Sequence, residues 1–155
     1  MSTQTQSQNL ELQLHRTLEA TPQRVFDAWT DPKQMQQWFR PSDQFRTLFI
    51  EVDLRVGGRY RIRMRNPDGE SHTVGGIFKE ITPPSKLIYT WTWEEPVKGY
   101  KGEMADTLVT VELKDLGGKT ELTLTHQRFP TQQALDMHTE GWTGCLAMLA
   151  KYVAK

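Results

Sequence analysis

The sequence contains almost no cysteine, no excess of charge of either sign and no long apolar run. Cys145 is the one cysteine, so neither an intrachain disulfide nor a cysteine-based metal site can form. The 19 basic and 19 acidic residues cancel, which argues against a binding surface for nucleic acid or an anionic membrane. No apolar stretch approaches the roughly 20 residues that cross a bilayer. We therefore expect a cytoplasmic protein that neither binds nucleic acid nor inserts into a membrane.

Two further absences limit the chemistry. No pair of histidines has the spacing of metal ligands, so we expect no metal and no cofactor. No arrangement of Ser, His and Asp is readable as a catalytic triad, and the sequence assigns no catalytic residue. Whether the protein is an enzyme stays open, with binding favoured over catalysis.

The length of 155 residues predicts one domain. Residues 1–9 are rich in Ser, Thr and Gln and lack both a basic start and an apolar stretch, so they are not typical of a secretory signal. We expect a disordered tail over residues 1–9 and a single domain over residues 10–155. The sequence leaves the oligomeric state open, with a homodimer as one option.

Alternation and capping signals predict the first elements. Leu10, Leu12 and Leu14 alternate with polar residues, as in a strand with one buried face. Thr21-Pro22 and Asp31-Pro32 each combine an N-cap residue with proline at the first helical position, so two short helices follow.

About six more strands and one long helix complete the chain. Tight turns such as Pro67-Asp68-Gly69 separate alternating segments, and hairpin links make neighbouring strands antiparallel. Thr131 begins a helix with apolar residues at three- and four-residue steps. The pattern predicts an α+β fold, in which a curved antiparallel sheet of about six or seven strands wraps around the C-terminal helix.

One strand carries a row of four arginines, at positions 59, 61, 63 and 65. Tyr60, Ile62 and Met64 alternate with them, so the arginines should lie on the outer face of the sheet. A solvated charged row is the simpler interpretation, and anion binding is the alternative.

Five segments in order resemble motifs of domains homologous to the activator of the heat-shock-protein-90 ATPase. They are Thr21-Pro22 through Trp38, Asp53-Leu54-Arg55-Val56-Gly57-Gly58-Arg59-Tyr60, Pro83-Pro84-Ser85-Lys86-Leu87 with Thr90-Trp91, Thr120 through His126, and Gly141-Trp142 with Leu146 and Leu149. The resemblance covers about residues 10 to 153. Each motif alone is weak, but their shared order identifies the chain as a member of this family.

The resemblance implies the helix-grip fold of the START and pollen-allergen-like (SRPBCC) superfamily, whose members commonly hold a hydrophobic ligand between sheet and long helix. Eukaryotic chaperone activators carry a separate chaperone-binding domain, for which these 155 residues leave no room. We therefore expect a stand-alone domain that binds a small hydrophobic or aromatic molecule. A cyclase- or hydrolase-like enzyme and a co-chaperone that stimulates the chaperone ATPase are the alternatives.

Aromatic, apolar and a few polar side chains on the inward faces form the candidate ligand site. They are Trp38, Phe39, Tyr60, Ile62, Met64, Tyr89, Trp91, Trp93, Met104, His126, His138, Trp142 and Cys145. Tyrosine and tryptophan suit a small-molecule site because each combines a large apolar body with one polar group. The simpler interpretation is that the same side chains pack together as core.

His126 shares a strand face with Leu122 and Leu124 and should point inward. A buried imidazole needs a hydrogen-bond partner, because an unsatisfied polar group costs about 1–3 kcal/mol. The partner would be a backbone group or Tyr89 if the role is structural. Ligand recognition or proton transfer is the alternative, and it requires an open ring nitrogen beside a titratable group.

Overall fold

The fold is described by a computed structural model over residues 10–95 and 106–155. Short helices follow the first strand, a meander of strands comes next, and one long helix closes the chain. The elements are β1 (Glu11–Leu18), α1 (Pro22–Thr30), α2 (Pro32–Trp38), β2 (Arg46–Val52), β3 (Arg59–Arg65), β4 (Ser71–Thr82), β5 (Lys86–Trp93), β6 (Thr107–Asp115), β7 (Thr120–Gln127) and α3 (Gln132–Val153).

Capping side chains start all three helices where the sequence places them. The Thr21 hydroxyl accepts from the backbone N–H of Arg24, and the Asp31 carboxylate accepts from that of Lys33. Thr131 begins α3 in the same way, by accepting from the N–H of Ala134. Each cap satisfies a donor that the first helical turn leaves free and contributes about 1 kcal/mol.

The seven strands form one antiparallel sheet in the order β1-β7-β6-β5-β4-β3-β2. Strands β2 to β7 are therefore neighbours in chain order, and β1 pairs with β7 at the far edge. Leu12 lies opposite His126 in that pair, which brings both side chains to the same face of the sheet. The predicted α+β helix-grip fold is confirmed, and the described residues form seven strands, within the predicted six or seven.

The long helix α3 covers the inner face of this sheet. Trp142, Leu146 and Leu149 are each at most 2% exposed and form its buried stripe. Gly144 lies against the loop after α2, where a Cβ would stand 1.9 Å from the carbonyl oxygen of Pro41. Only glycine allows this close approach, so Gly144 fixes how tightly the first half of α3 packs on the loop.

The arginine row lies on the outer face, as the alternation predicts. Tyr60, Ile62 and Met64 are buried on the opposite face. Arg61 contacts the carboxylates of Glu94 at 2.8 Å and Glu51 at 3.5 Å, so these exposed charges are paired with each other. The pairing favours a solvated ionic row over an anion site.

Some predictions fall outside the described residues. They are the tail at residues 1–9 and the candidate site residue Met104. In the part of the chain that is described, no helix is both long and apolar enough to span a lipid bilayer.

Candidate functional site

A cavity of about 870 Å³ lies between the first half of α3, the loop after α2, and the ends of β3, β4 and β5. Helix, loop and strands all contribute to its wall. The lining residues are Phe39, Pro41, Ser42, Phe45, Met64, Asn66, His72, Trp91, Trp93, Gln133, Asp136, Met137, His138, Glu140, Gly141, Trp142 and Cys145. The sheet therefore does not close completely onto the helix.

Trp91 is the centre of the aromatic wall. Its ring centroid lies 5.0 Å from that of Trp142, 5.7 Å from that of Trp93 and 6.3 Å from that of Phe39. Aromatic pairs at these distances contribute about 0.5–1.5 kcal/mol each beyond the area they bury. These rings hold one another in place, so this part of the wall is formed before any ligand arrives.

The indole Nε1 of Trp91 is buried and has no hydrogen-bond partner among the described residues. A buried donor without a partner costs about 1–3 kcal/mol, and such groups are uncommon in folded proteins. A phenylalanine would pack here without that cost. The choice of tryptophan therefore favours a role for this wall beyond packing.

His138 joins α3 to the end of β5 through both of its ring nitrogens. Nδ1 lies 2.7 Å from the carbonyl oxygen of Ala134 and donates to it. Nε2 then carries no proton and accepts from the indole N–H of Trp93 at 3.0 Å. The two bonds hold the imidazole in one neutral tautomer and fix the orientation of Trp93 on the cavity wall.

His126 is fully buried behind this wall and is also bonded at both nitrogens. The indole N–H of Trp142 donates to Nδ1 at 2.9 Å, so Nε2 carries the proton and donates to the Thr107 hydroxyl at 2.6 Å. Thr107 in turn donates to the carbonyl oxygen of Trp91 at 2.8 Å. In this series of three hydrogen bonds, from the Trp142 indole to the Trp91 carbonyl, each proton lies between one donor and one acceptor.

This geometry corrects the expected partners of His126. Within the described residues, neither Tyr89 nor a backbone group bonds to its imidazole. Tyr89 lies near α1 and accepts from the indole N–H of Trp29 at 3.1 Å. The sequence pattern placed His126 inward correctly, but strand alternation contains no information about which polar group meets it across the core.

Burial keeps both imidazoles uncharged. Desolvation lowers the pKa of His126 well below its usual value, and the nearby His138 lowers it further. Desolvation likewise lowers the pKa of His138, with partial compensation from its bond to the Ala134 carbonyl. At neutral pH each ring is a structural acceptor of an indole N–H and contributes no positive charge to the cavity.

Cys145 contributes a thiol to the cavity wall. Its side chain is 5% exposed, and burial raises its pKa to about 12, with a small opposing effect of Arg40. The thiol therefore stays protonated at neutral pH, and it behaves as a small apolar group rather than as a nucleophile.

The predicted site residues divide into three groups. Those that line the cavity are Phe39, Met64, Trp91, Trp93, His138, Trp142 and Cys145. Those that are buried away from it are Trp38, Tyr60, Ile62, Tyr89 and His126. Met104 lies outside the described residues.

The buried group packs behind the lining residues, and part of it surrounds a second space. Tyr60, Ile62 and Tyr89 surround a second, very small cavity of about 10 Å³ that Trp29 and Phe39 also line. Trp38 is fully buried, and its indole N–H donates to the carbonyl oxygen of Ala28 at 2.8 Å. A space of this size holds about one water molecule and no organic ligand.

The sequence reasoning missed the polar rim of the main cavity. It followed apolar residues along α3 and so passed over Gln133, Asp136 and Glu140, which also line the cavity. Helical spacing is the signal that could have grouped them, because Gln133, Asp136 and Glu140 follow one another at steps of three and four residues and so share a side of the helix. Phe45, Asn66 and His72 come from loop and hairpin ends, where periodicity gives no guidance.

Within residues 10–95 and 106–155, no three Asp, Glu, His or Cys side chains converge in a geometry that could hold a metal ion. The polar groups of the cavity lie around an aromatic interior, with Asp136 and Glu140 one turn apart on α3.

The chain belongs to the family of Activator of Hsp90 ATPase homolog 1-like proteins, whose sequence profile matches residues 19–154. The predicted family, with its START-like fold, is therefore confirmed. No curated protein matches the sequence at a significant level.

Solved structures of similar proteins share this architecture. A protein from Chromobacterium violaceum is 29% identical, with a TM-score of 0.81 over 94% of this chain and 97% of the other. A protein from Nitrosomonas europaea is 27% identical, with a TM-score of 0.76 over 92% and 93%. The AHSA1 protein from Silicibacter pomeroyi is 25% identical, with a TM-score of 0.80 over 94% and 98%.

Proposed function

We propose that this protein binds a small hydrophobic or aromatic molecule in the cavity between α3 and the sheet. The observation that carries the proposal is an opening of about 870 Å³ with a preformed wall of tryptophan and phenylalanine rings. Small-molecule sites usually measure about 300–1,000 Å³ and combine apolar walls with a few polar groups. The residues that line the cavity are those that would contact the ligand. The buried group packs behind them and supports their positions.

Gly141 supports the same proposal from the helix side. It lines the cavity, and a Cβ at this position would meet no atom within 4 Å. Glycine inside a helix costs about 1 kcal/mol relative to alanine. Unlike Gly144, Gly141 is not required by packing. Its lack of a side chain leaves space beside Trp142.

Binding is favoured over catalysis by the state of the two histidines. A general base needs a ring nitrogen within hydrogen-bond reach of a substrate proton. Both nitrogens of His126 and both of His138 are already bonded to protein groups. The co-chaperone alternative rests on the family's name alone.

The proposal is tested by blocking the cavity without harming the fold. Gly141→Leu adds a side chain to the open space, and leucine is a better helix former than glycine. Ala147→Leu places the same side chain on the exposed side of α3 and serves as the control. Thermal-shift screening against lipids, polyketides and aromatic metabolites should give compounds that stabilise the native protein and Ala147→Leu but not Gly141→Leu.

Two results would count against the proposal. One is a screen in which no compound raises the melting temperature at concentrations up to the millimolar range. The other is a compound that stabilises Gly141→Leu as strongly as the native protein, because it would then bind elsewhere.

A further inference from the structure

Among the described residues, the two charged side chains that line the cavity are both acidic. Asp136 and Glu140 lie one turn apart on α3, where both are exposed at the rim above the aromatic wall. Like charges at this spacing on a helix destabilise it slightly. A positively charged group between the two carboxylates would offset that repulsion.

No lysine or arginine of residues 10–95 and 106–155 lines the cavity. Arg40 and Arg65 are adjacent in sequence to lining residues, but Arg65 lies on the outer face of the sheet and Arg40 faces Asp43 at 4.0 Å. In this part of the chain neither rim carboxylate forms an ion pair within 4.0 Å. The potential at the rim therefore favours a cation over an anion.

The aromatic wall below the rim favours the same charge. The faces of tryptophan rings attract cations, and aromatic sites often recognise quaternary ammonium groups in this way. The ring centroid of Trp91 lies 5.7 Å from that of Trp93 and 5.0 Å from that of Trp142, and all three rings line the cavity. The neutral state of His138 leaves this attraction unopposed.

We propose that the ligand is an amphiphilic cation. Its apolar or aromatic body enters the tryptophan-lined interior, and its amine or quaternary ammonium group stays at the rim between Asp136 and Glu140. This inference rests on the proposed function and adds the ligand's charge and its orientation.

A set of three fluorescent probes with one common body tests the charge. Diphenylhexatriene is neutral, its trimethylammonium derivative is cationic, and its propionic acid derivative is anionic at pH 8. At this pH an ordinary imidazole is uncharged, so the comparison concerns the carboxylates. Each probe is titrated with the full chain at low salt, and its fluorescence reports binding.

We expect the cationic probe to bind about tenfold more tightly than the neutral probe, since each of two exposed charge contacts contributes roughly a two- to fivefold factor. The anionic probe should bind more weakly than either. The preference should decrease on addition of salt, because exposed charges are screened.

The double variant Asp136→Asn with Glu140→Gln should bring the cationic probe to the affinity of the neutral one. Glu11→Gln with Glu112→Gln removes the same charge from exposed strand positions away from the cavity and should leave the preference intact. The affinity of the neutral probe should change by less than about twofold in both double variants, since it makes no charge contact.

The outcomes separate this inference from the function on which it rests. Equal binding of all three probes, blocked by Gly141→Leu, would overturn the charge assignment and leave the cavity proposal intact. Tightest binding of the anionic probe, or equal loss in both double variants, would also overturn it. If no probe binds, the inference falls together with the cavity proposal for molecules of this shape.

Discussion

Replacing Thr107 by valine tests the hydrogen-bond chain that supports the cavity wall. Valine has nearly the shape of threonine but cannot accept from the Nε2–H of His126 or donate to the carbonyl of Trp91. Thr107 is 6% exposed and His126 is 0% exposed, so water cannot replace the lost hydroxyl without a rearrangement. The substitution changes polarity while it leaves packing almost unchanged.

The expected loss of stability is about 2–4 kcal/mol. A buried donor left without a partner costs about 1–3 kcal/mol, and the imidazole N–H is such a donor. The Trp91 carbonyl adds a smaller cost, because a carbonyl oxygen has a second lone pair that can accept elsewhere. For a domain of this size the melting temperature should fall by roughly 2–4 °C for each kcal/mol.

Urea denaturation at pH 8 measures this loss, with Thr110→Val as the matched control. Thr110 lies on the same strand but on the partly exposed face, and within the described residues its hydroxyl forms no hydrogen bond. Its replacement should change the free energy of unfolding by less than about 0.5 kcal/mol. If Thr107→Val costs no more than this control, the proton arrangement around His126 is wrong.

Three further predictions follow from the same geometry. Folding depresses the pKa of His126 and His138, so the unfolded chain binds more protons as the pH falls. The free energy of unfolding should be greatest above about pH 6.5 and fall by at most roughly 1.4 kcal/mol per pH unit for each histidine below it. His138→Phe should reduce the dependence of this free energy on pH, measured by urea denaturation at several pH values. The Cys145 thiol should react with Ellman's reagent about a thousandfold more slowly at pH 8 in the native protein than in guanidinium, since its pKa is raised to about 12, and equal rates would contradict its burial. Gly141→Ala should stabilise the protein by about 0.5–1 kcal/mol, whereas Gly144→Ala should destabilise it because its Cβ meets a backbone carbonyl; calorimetry distinguishes the signs.

The fold could be predicted almost completely from local patterns. The caps Thr21, Asp31 and Thr131 mark helix starts because side-chain oxygens at these positions satisfy backbone donors within three residues. Alternation around Tyr60 and Ile62 predicts which strand face is buried for an equally local reason. The order of motifs then identified the family, and the fold that the family implies agrees with the arrangement of sheet and helix that these patterns predict.

The candidate site could be predicted only in part, because a cavity is a property of packing between distant elements. Periodicity placed Tyr60, Tyr89 and His126 on the inner face together with Trp91, but it could not tell which inner residues meet open space. The distinction depends on where α3 stands away from the sheet. The close approach of Gly144 to the Pro41 carbonyl contributes to that position, and no local pattern contains it.

The same limit explains why the rim was missed. The rim residues on α3 are polar and exposed, so a search for apolar stripes excludes them. Asp136 and Glu140 lie four residues apart on the helix, but only the assembled fold shows that this side of α3 meets the cavity.

The most direct test of the account is a titration of the native protein, Gly141→Leu and Ala147→Leu with the cationic hexatriene probe, followed by probe fluorescence. We predict one saturable site in the native protein and in Ala147→Leu, and at least a tenfold loss of affinity in Gly141→Leu despite an equal or higher melting temperature. Equal affinity in all three proteins would show that the space beside Trp142 is not where the molecule binds.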